Sequence, residues 1–400
     1  MEYRLKDCLE KVIDNRGKNP KYFDKEKYPV IDNVFIKNNY YINDKIVNRY
    51  INQETYDNFL RGYVEENMPI MTLVGSGIGN VGLIKNENVA IVQNTIGFKT
   101  KENLDPKYLY YWFLTKQDEL QSFNRGSGQP SIKKTDVENM EIDLPDIAIQ
   151  RKIVSILSKL DEKIELNNQI NNDLYDISHK IFEEKVIKNR KNNWKEYKLS
   201  EISKSINGYS YKGNELQENS DIGMATIKNF ERNRTFKEDG FKSIIPSKVK
   251  DEQYINKFDI LVACTDLTQN ADIIGNAVMM LTKDIFKNII ISMDLVKVVP
   301  TTDIIDKYVL FAILSSNEFK NFALGYKNGT TVLHLNKKCL EDYTIKLPEQ
   351  SVLDEISELF ERNYKKISAN LEQNRTLKQL RDTLIPKLIN GEIDLDKIDI

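Results

Sequence analysis

The stretch Leu144-Pro-Asp-Ile-Ala-Ile-Gln-Arg-Lys-Ile-Val-Ser-Ile-Leu157 decides the fold, because the chain contains its pattern twice. The second copy begins at Leu347-Pro348. In both places a short polar, strand-like run precedes the Leu-Pro pair and a long helical pattern follows it. At this offset of 203 residues Asn167 coincides with Asn370. Such self-similarity predicts a duplicated structural unit.

The front edge of the unit is repeated as well. Glu2-Tyr-Arg-Leu corresponds to Glu196-Tyr-Lys-Leu at an offset of 194 residues, so the second copy carries 9 more residues in its middle. We therefore predict four segments. They are a globular domain at residues 1–145, a helix and linker at 146–195, a second globular domain at 196–348 and a second helix at 349–400.

Each predicted helix carries an apolar stripe with spacings of three and four residues. We expect the helices to pair through Ile153, Leu157, Leu160, Ile164, Leu174, Ile177, Ile356, Phe360, Ile367, Leu377 and Leu384. In the first helix the stripe breaks register across residues 166–169, which predicts a local change in winding. Pro386 predicts a kink or an end of the second helix, and Gly391 predicts its C-terminal cap.

A helix of this length needs a partner, and the chain offers one of equal length in its own second copy. We expect an antiparallel coiled-coil rod with one globular domain at each end, in which central asparagines fix the register. The alternative is that each helix is buried separately on its own domain. Within the globular parts, residues 68–92 and 259–280 predict short strands, and residues 105–114 and 306–314 predict helices led by an Asp cap. The fold class is therefore α+β, with mixed α/β domains.

The composition excludes several classes of protein. Lys and Arg total 58 against 60 Asp and Glu, and neutrality holds within each predicted domain, so any anionic partner must meet local basic patches. Cys8, Cys264 and Cys339 are widely spaced, which favours buried reduced thiols over disulfides, and two histidines are too few for a His-rich zinc site. The charged start and the lack of a long apolar stretch favour a soluble, cytoplasmic protein.

Two motifs are typical of enzymes, but neither lies in the structural context that its chemistry needs. Gly77-Ile-Gly79-Asn-Val-Gly82 matches a dinucleotide fingerprint, but a strand pattern follows it where the fingerprint needs a helix, so we interpret it as a hairpin loop. Asp146 and Asp161 lie about four turns apart on one predicted helix, on the order of 20 Å, which favours solvated charges over a nuclease metal site. The sequence thus predicts no catalytic residue and no metal site.

Polar and aromatic side chains recur in loop-like places of both domains, and these types contact base edges and phosphates. In the first domain the candidates for DNA binding are Arg16, Lys18, Tyr22, Ser76, Asn80, Gln93, Asn94, Arg125, Ser127 and Gln129. In the second domain they are Tyr209, Tyr211, Lys212, Lys228, Asn229, Arg232, Arg234, Thr265, Thr268, Gln269, Asn270, Lys327, Asn328 and His334. Singly, each is more often a solvated surface residue.

Three segments together resemble one family. They are Gly126-Ser-Gly-Gln-Pro-Ser-Ile-Lys-Lys, Gln150-Arg-Lys-Ile-Val-Ser-Ile-Leu, and Leu384-Ile-Pro-Lys-Leu-Ile-Asn-Gly-Glu-Ile. They are similar to parts of the specificity subunits of type I restriction-modification systems, which alternate two target recognition domains with two spacer helices. The second copy departs from the pattern, since Thr331-Val-Leu-His334 replaces Gly128-Gln-Pro-Ser131.

The resemblance implies a non-catalytic reader of double-stranded DNA that recognises a bipartite, asymmetric site. Two methyltransferase subunits would dock on the chain and bring S-adenosylmethionine for adenine methylation. Endonuclease and translocase subunits, using ATP and Mg²⁺, would join for restriction. From other classes, the alternatives are a protein-binding adaptor on a coiled-coil scaffold that does not bind DNA, and a nucleotide-dependent enzyme using Gly77 to Gly82.

Overall fold

The computed structural model describes residues 2–18, 20–126, 128–268, 270–282 and 285–395. The chain divides into two compact units. The first unit comprises Met1–Ile164 with Thr376–Ile400, and the second comprises Glu165–Arg375.

The first unit places its helices around a five-stranded sheet, a three-stranded sheet and a two-stranded pair. Its elements before the long helix are β1 (Glu2–Arg4), β2 (Leu9–Ile13), β3 (Tyr28–Ile31), β4 (Asn39–Tyr41), β5 (Tyr50–Ile51), α1 (Gln53–Phe59), β6 (Pro69–Thr72), β7 (Val81–Leu83), β8 (Ala90–Ile91), β9 (Thr95–Thr100), α2 (Pro106–Thr115), α3 (Gln117–Ser122), α4 (Lys134–Glu138) and β10 (Glu141–Asp143). The strand orders are β2-β9-β6-β7-β4, β5-β3-β8 and β1-β10. The apolar helix α2 is buried along most of its length.

The long helix α5 (Ile147–Phe182) follows, and a π-helix covers Glu183–Lys188. The remaining elements are β11 (Lys195–Lys198), α6 (Leu199–Ile202), β12 (Ser203–Asn207), β13 (Ile222–Ala225), β14 (Lys242–Ser243), β15 (Ile260–Ala263), β16 (Thr265–Asp266), β17 (Ala277–Met279), β18 (Asn288–Ile291), β19 (Leu295–Pro300), α7 (Lys307–Ser315), α8 (Asn317–Leu324), β20 (Lys327–Asn328), β21 (Leu333–Leu335), α9 (Cys339–Asp342), β22 (Thr344–Leu347) and α10 (Gln350–Ile389).

The second unit repeats the strand order of the first with two differences: the first unit adds β4 at the edge of its main sheet, and the second unit has a further three-stranded sheet, β16-β21-β20. Its sheet β12-β19-β15-β17 matches β2-β9-β6-β7, its sheet β14-β13-β18 matches β5-β3-β8, and β11-β22 matches β1-β10. Even the one parallel pairing of the smaller sheet recurs, as β3 with β8 and as β13 with β18. The predicted duplication and the mixed α/β fold class are confirmed.

Local sequence signals account for several elements. Asp105 and Asp306 cap α2 and α7, each accepting two backbone N–H bonds in the first helical turn, as predicted. The glycine-rich segment around Gly79 joins the antiparallel strands β6 and β7, so the hairpin interpretation is also confirmed. All three cysteines are buried, as expected of structural thiols.

In the second unit α5 and α10 pack antiparallel through buried asparagines. Asn167 donates to Asn374 Oδ1 at 2.8 Å, and Asn370 donates to Asn171 Oδ1 at 2.8 Å, so partner numbers fall on α10 as they rise on α5. In the first unit Ile385 and Leu388 of α10 join the core that contains Ile153 and Leu157 of α5. The predicted antiparallel pairing is therefore confirmed in the second unit, and in the first unit the two helices share one core.

The predicted apolar stripe of the paired helices is confirmed at most positions and wrong at Ile177. Of the predicted pairing residues, those that are buried are Ile153, Leu157, Ile164, Ile356, Phe360 and Ile367, and those that are half-buried are Leu160, Leu174, Leu377 and Leu384. Ile177 is instead 48 % exposed, and Ser178 occupies the buried face. The predicted break of register is wrong, because α5 is continuous and Asn167 and Asn171 carry the buried face through its middle.

Two further expectations about the helices fail. Asp161 is not a solvated charge but is 2 % exposed, with its carboxylate bonded to Tyr111 and Arg381. Of the two alternatives predicted at Pro386, a kink or an end of the helix, the end is wrong, because α10 continues to Ile389. Gly391 does form the cap, with φ of 72°, and Glu392 N–H bonds to Lys387 C=O as in a Schellman motif.

Candidate nucleic-acid interface

One loop occupies the same place in both units and carries candidate DNA-binding residues in each. Residues 73–80 join β6 to β7 in the first unit. Residues 264–276, which include β16 and position 269 outside the described residues, join β15 to β17 in the second. Both loops turn through a glycine with positive φ, 78° at Gly79 and 76° at Gly275, a conformation that favours glycine. The second loop is longer, so the two units present different surfaces on the same scaffold.

The loop of the first unit is bonded to two neighbouring segments. Val74 forms a bridge with Ser131, and Leu73 N–H donates to Asn94 C=O at 2.7 Å. The structure therefore brings together four predicted residues, with the side chains of Ser76, Arg125 and Gln129 exposed and that of Asn94 half-buried. The guanidinium of Arg125 also forms an ion pair with Asp136 at 3.0 Å.

The loop of the second unit is bonded to a small hairpin. His334 of β21 pairs with Thr265 on one side and with Asn328 on the other. His334, Lys327, Asn328 and Asn270 have exposed side chains. Arg232 lies beside the same loop and contacts Asp272 at 3.5 Å. Here too the structure assembles predicted residues that are distant in sequence.

Five candidates have structural roles instead, which corrects their prediction as free surface groups. Thr265 is 8 % exposed, and its hydroxyl donates to Asp294 at 3.0 Å. Asn229 is fully buried and its amide donates to Lys237 C=O at 2.8 Å. Tyr209 is buried with its hydroxyl on Glu215, and Thr268 donates its hydroxyl to Asp266 within the loop. Asn80 donates to Ile36 C=O at 3.0 Å. The side chains of these residues form hydrogen bonds that hold loops together.

Other candidates lie apart from these loops. Arg16 forms an ion pair with Asp14 at 2.7 Å, Lys18 lies 4.6 Å from the Phe59 ring, and Tyr22 faces the guanidinium of Arg49. In the second unit Arg234 donates to Asn317 at 2.9 Å. Three more are distributed over other surfaces, with Lys212 and Lys228 exposed and Tyr211 half-buried, whereas Gln93 is half-buried and directly precedes Asn94 beside the first loop. Ser127 and Gln269 lie outside the described residues.

The longer loop is organised around buried charges that the sequence did not reveal. Burial alone would raise the pKa of the Asp266 carboxyl, but bonds from the backbone N–H groups of Ile273, Thr268 and Ile274 lower it overall. Burial, and next the charge of Arg234, lower the pKa of the Lys320 ammonium to about 8. These groups shape the loop from inside, and their role depends on long-range contacts that no local pattern predicts.

Across the described ranges, no three or more His, Cys, Asp or Glu side chains are grouped so that they could hold a metal ion. In the same residues no helix combines the length and apolar character needed to cross a bilayer.

Comparisons with known proteins agree on one family. A family model described as the type I restriction modification DNA specificity domain matches residues 1–175 and again 191–379. The chain is 25 % identical over 356 residues to the specificity subunit of the type I restriction enzyme MjaVIII of Methanocaldococcus jannaschii, covering 84 % of this chain and 81 % of that protein. Identity to the MjaIX specificity subunit of the same organism is 24 % over 337 residues, covering 78 % and 76 %.

A solved structure shares the fold. The crystal structure of a type I restriction-modification S subunit from M. genitalium superimposes with a TM-score of 0.56 at 16 % identity, covering 97 % of this chain and 95 % of the other.

Proposed function

The chain belongs to the family of type I restriction modification DNA specificity domains, and on that premise we propose that it is the sequence-reading subunit of such a system. Each globular domain would read one half of a bipartite, asymmetric DNA site. The paired helices would set the unread spacer between the halves. The chain itself would carry no catalytic group.

One observation carries this proposal. The main sheets of the two units share the order of four strands, yet the loop at the equivalent place differs in length. Its exposed candidate side chain is Ser76 in the first unit and Asn270 in the second. A shared scaffold with divergent loops is what two readers of different base sequences require, because base readout depends on side chains in the grooves. The predicted domains at residues 1–145 and 196–348 are the proposed readers.

The remaining parts of the reaction would come from partners. Two methyltransferase subunits would bind the chain and supply S-adenosylmethionine and the pocket for the flipped adenine. Endonuclease subunits with ATP and Mg²⁺ would add cleavage where they are present. We place the complex in the cytoplasm, where bacterial and archaeal DNA is found.

Mapping methylated adenines tests the proposal directly. The chain is expressed with its cognate methyltransferase subunit in a host that lacks adenine methylation, and the methylated motif is determined by sequencing. We expect a split motif, and exchange of residues 1–145 for those of a related chain should change one half only. Methylation without a split motif, or a motif that ignores the exchange, would contradict the proposed function.

A further inference from the structure

The long loop of the second unit is held from beneath by one buried lysine. Lys320, on α8, donates its ammonium to Ala271 C=O at 3.1 Å and to Ile274 C=O. The side chain is buried, and its bonds are to loop backbone. Ala271 itself has a positive φ of 55°, so the loop adopts an uncommon backbone conformation at the residue whose carbonyl accepts from Lys320.

The short loop of the first unit is held in the same way by amides. Gln121, on α3, donates to Ile78 C=O at 2.7 Å, and Gln117 donates to Gly79 C=O at 3.1 Å. The helices α3 and α8 follow α2 and α7 in the same order, so they are equivalent elements of the two units. Both units thus use side-chain donors on one helix to bind carbonyls of the candidate DNA-binding loop.

The equivalent glycines bring each loop into direct contact with that helix. A Cβ atom on Gly79 would lie 3.2 Å from Leu120 Cβ, and one on Gly275 would lie 3.0 Å from Ala323 Cβ. Such close approach, together with a positive φ, leaves little room for the loop to shift while the donors hold it. Contacts with α3 in the first unit and with α8 in the second therefore fix the position of each loop.

We propose that Lys320 in the second unit, and Gln117 and Gln121 in the first, are positioning residues that fix the base-reading loops without touching DNA. The inference rests on the proposed function and goes beyond it, because it assigns sequence discrimination to residues beneath the interface. Lys320 is a buried donor, whereas Gln117 is half-buried and Gln121 is exposed. A loop carbonyl that loses such a donor is no longer tied to the helix, and the exposed side chains that the loop presents lose their fixed position. Each anchor acts on one half-site only.

The test uses the full chain with its methyltransferase subunit and the methylation assay described above. Lys320→Met keeps the apolar stem and removes the donor, and Gln121→Met does the same in the first unit. Lys320→Gln restores a donor of the kind that the first unit uses. Lys204→Met, an exposed lysine of β12 in the second unit, is the matched control. Domain exchange assigns each half of the motif to its unit.

We expect Lys320→Met to lower the preference for the correct base over a single mismatch by roughly tenfold in the half-site read by the second unit. The other half should keep its preference, and Gln121→Met should give the reverse pattern. Lys320→Gln should retain more discrimination than Lys320→Met, and Lys204→Met should match the wild type.

Several outcomes would overturn the inference. They are an unchanged motif in both folded anchor variants, or an equal loss of base preference in both halves of the motif. If Lys320→Met does not fold, the result of Gln121→Met decides alone. A wild-type chain that directs no split methylation would instead refute the proposed function, so the two failures are distinguishable.

Discussion

At the scale of single residues, this protein buries a carboxylate that the sequence predicts to be exposed to solvent. Asp161 accepts a hydrogen bond from Tyr111 at 2.8 Å and another from Arg381 at 2.6 Å, all within the first unit. Burial raises the pKa of the Asp161 carboxyl, and the Arg381 guanidinium opposes that shift. A buried carboxylate of this kind depends on its partner, because desolvation of an unpaired ion costs several kcal/mol.

Removal of Arg381 should therefore destabilise the first unit strongly. We expect Arg381→Leu to lower the free energy of unfolding by about 3 kcal/mol, since it leaves the Asp161 carboxylate buried with only Tyr111. Asp382→Asn removes the other, exposed acidic partner of Arg381 and should cost no more than about 0.5 kcal/mol. Denaturant titration of both variants checks this, and equal losses would contradict a special role for the buried pair.

His179 provides a pH-dependent contribution in the second unit. Its ring packs against Phe360 and its Nε2 lies 3.2 Å from the Tyr364 hydroxyl; burial, and next the charge of Arg234, lower the pKa of its imidazole to about 4. The unfolded chain binds the proton near pH 6.5, so this contribution to stability is complete above that pH. It is lost as the pH falls from 6.5 towards 4.

His179→Gln should flatten this part of the pH profile. The wild type should lose about 3 kcal/mol more than the variant between pH 6.5 and 4, because glutamine takes up no proton. Urea unfolding at a series of pH values measures the difference. Lys180→Gln, on the exposed side of the same helical turn, should keep the wild-type slope. If the free energy of unfolding fell with pH equally in the wild type and in His179→Gln, the pH dependence could not be assigned to His179.

At the scale of elements, the two long helices combine an apolar stripe with a polar centre. The central contacts obey the internal repeat, since the offset of 203 residues converts the pair Asn167–Asn374 into Asn370–Asn171. Amide pairs in a helix interface satisfy each other in one register only, and a slip leaves them buried and unbonded. The asparagines therefore specify the alignment of α5 with α10 at some cost in stability.

The buried face of α5 can be tested with a matched pair of substitutions. Ile164 is 7 % exposed and Ile177 is 48 % exposed, so the same change at each position meets a different environment. Ile164→Asp should cost several kcal/mol because it buries an unpaired charge, whereas Ile177→Asp should change the free energy of unfolding by less than about 1 kcal/mol. Thermal and denaturant unfolding measure both, and similar losses would show that the helix faces are assigned incorrectly.

Local patterns predicted the elements better than they predicted the site. Asp caps, glycine turns and the repeat gave α2, α7 and the β6–β7 hairpin, because these depend on short-range chemistry. The stripe of α5 was misassigned at Ile177 because hydrophobicity alone cannot show that Asn171 or Ser178 occupies a buried position. The anchors beneath the loops, Lys320, Gln117 and Gln121, depend on contacts across 38 residues or more and have no local signature.

At the scale of the whole molecule, charge is distributed evenly. Residues 1–145 carry 20 basic and 21 acidic side chains, and residues 196–348 carry 20 of each. Neither domain can attract DNA through a general positive field. Affinity of the free chain for DNA should thus depend on a few exposed cations such as Lys327, and specificity should depend on exposed amides such as Asn270.

These two contributions can be separated by the salt dependence of binding. For the full chain on a duplex that contains the methylated motif, the slope of log K against log salt should be shallow, since each phosphate contact adds about 0.9 to its magnitude. Lys327→Gln should reduce the slope by about one contact and weaken binding to the motif and to a scrambled duplex alike. Asn270→Ala should leave the slope unchanged and reduce the difference in affinity between the motif duplex and the scrambled duplex. A changed slope in Asn270→Ala would contradict the assignment of Asn270 to a base contact. An effect of Lys327→Gln on the motif duplex alone would contradict the assignment of Lys327 to a phosphate contact.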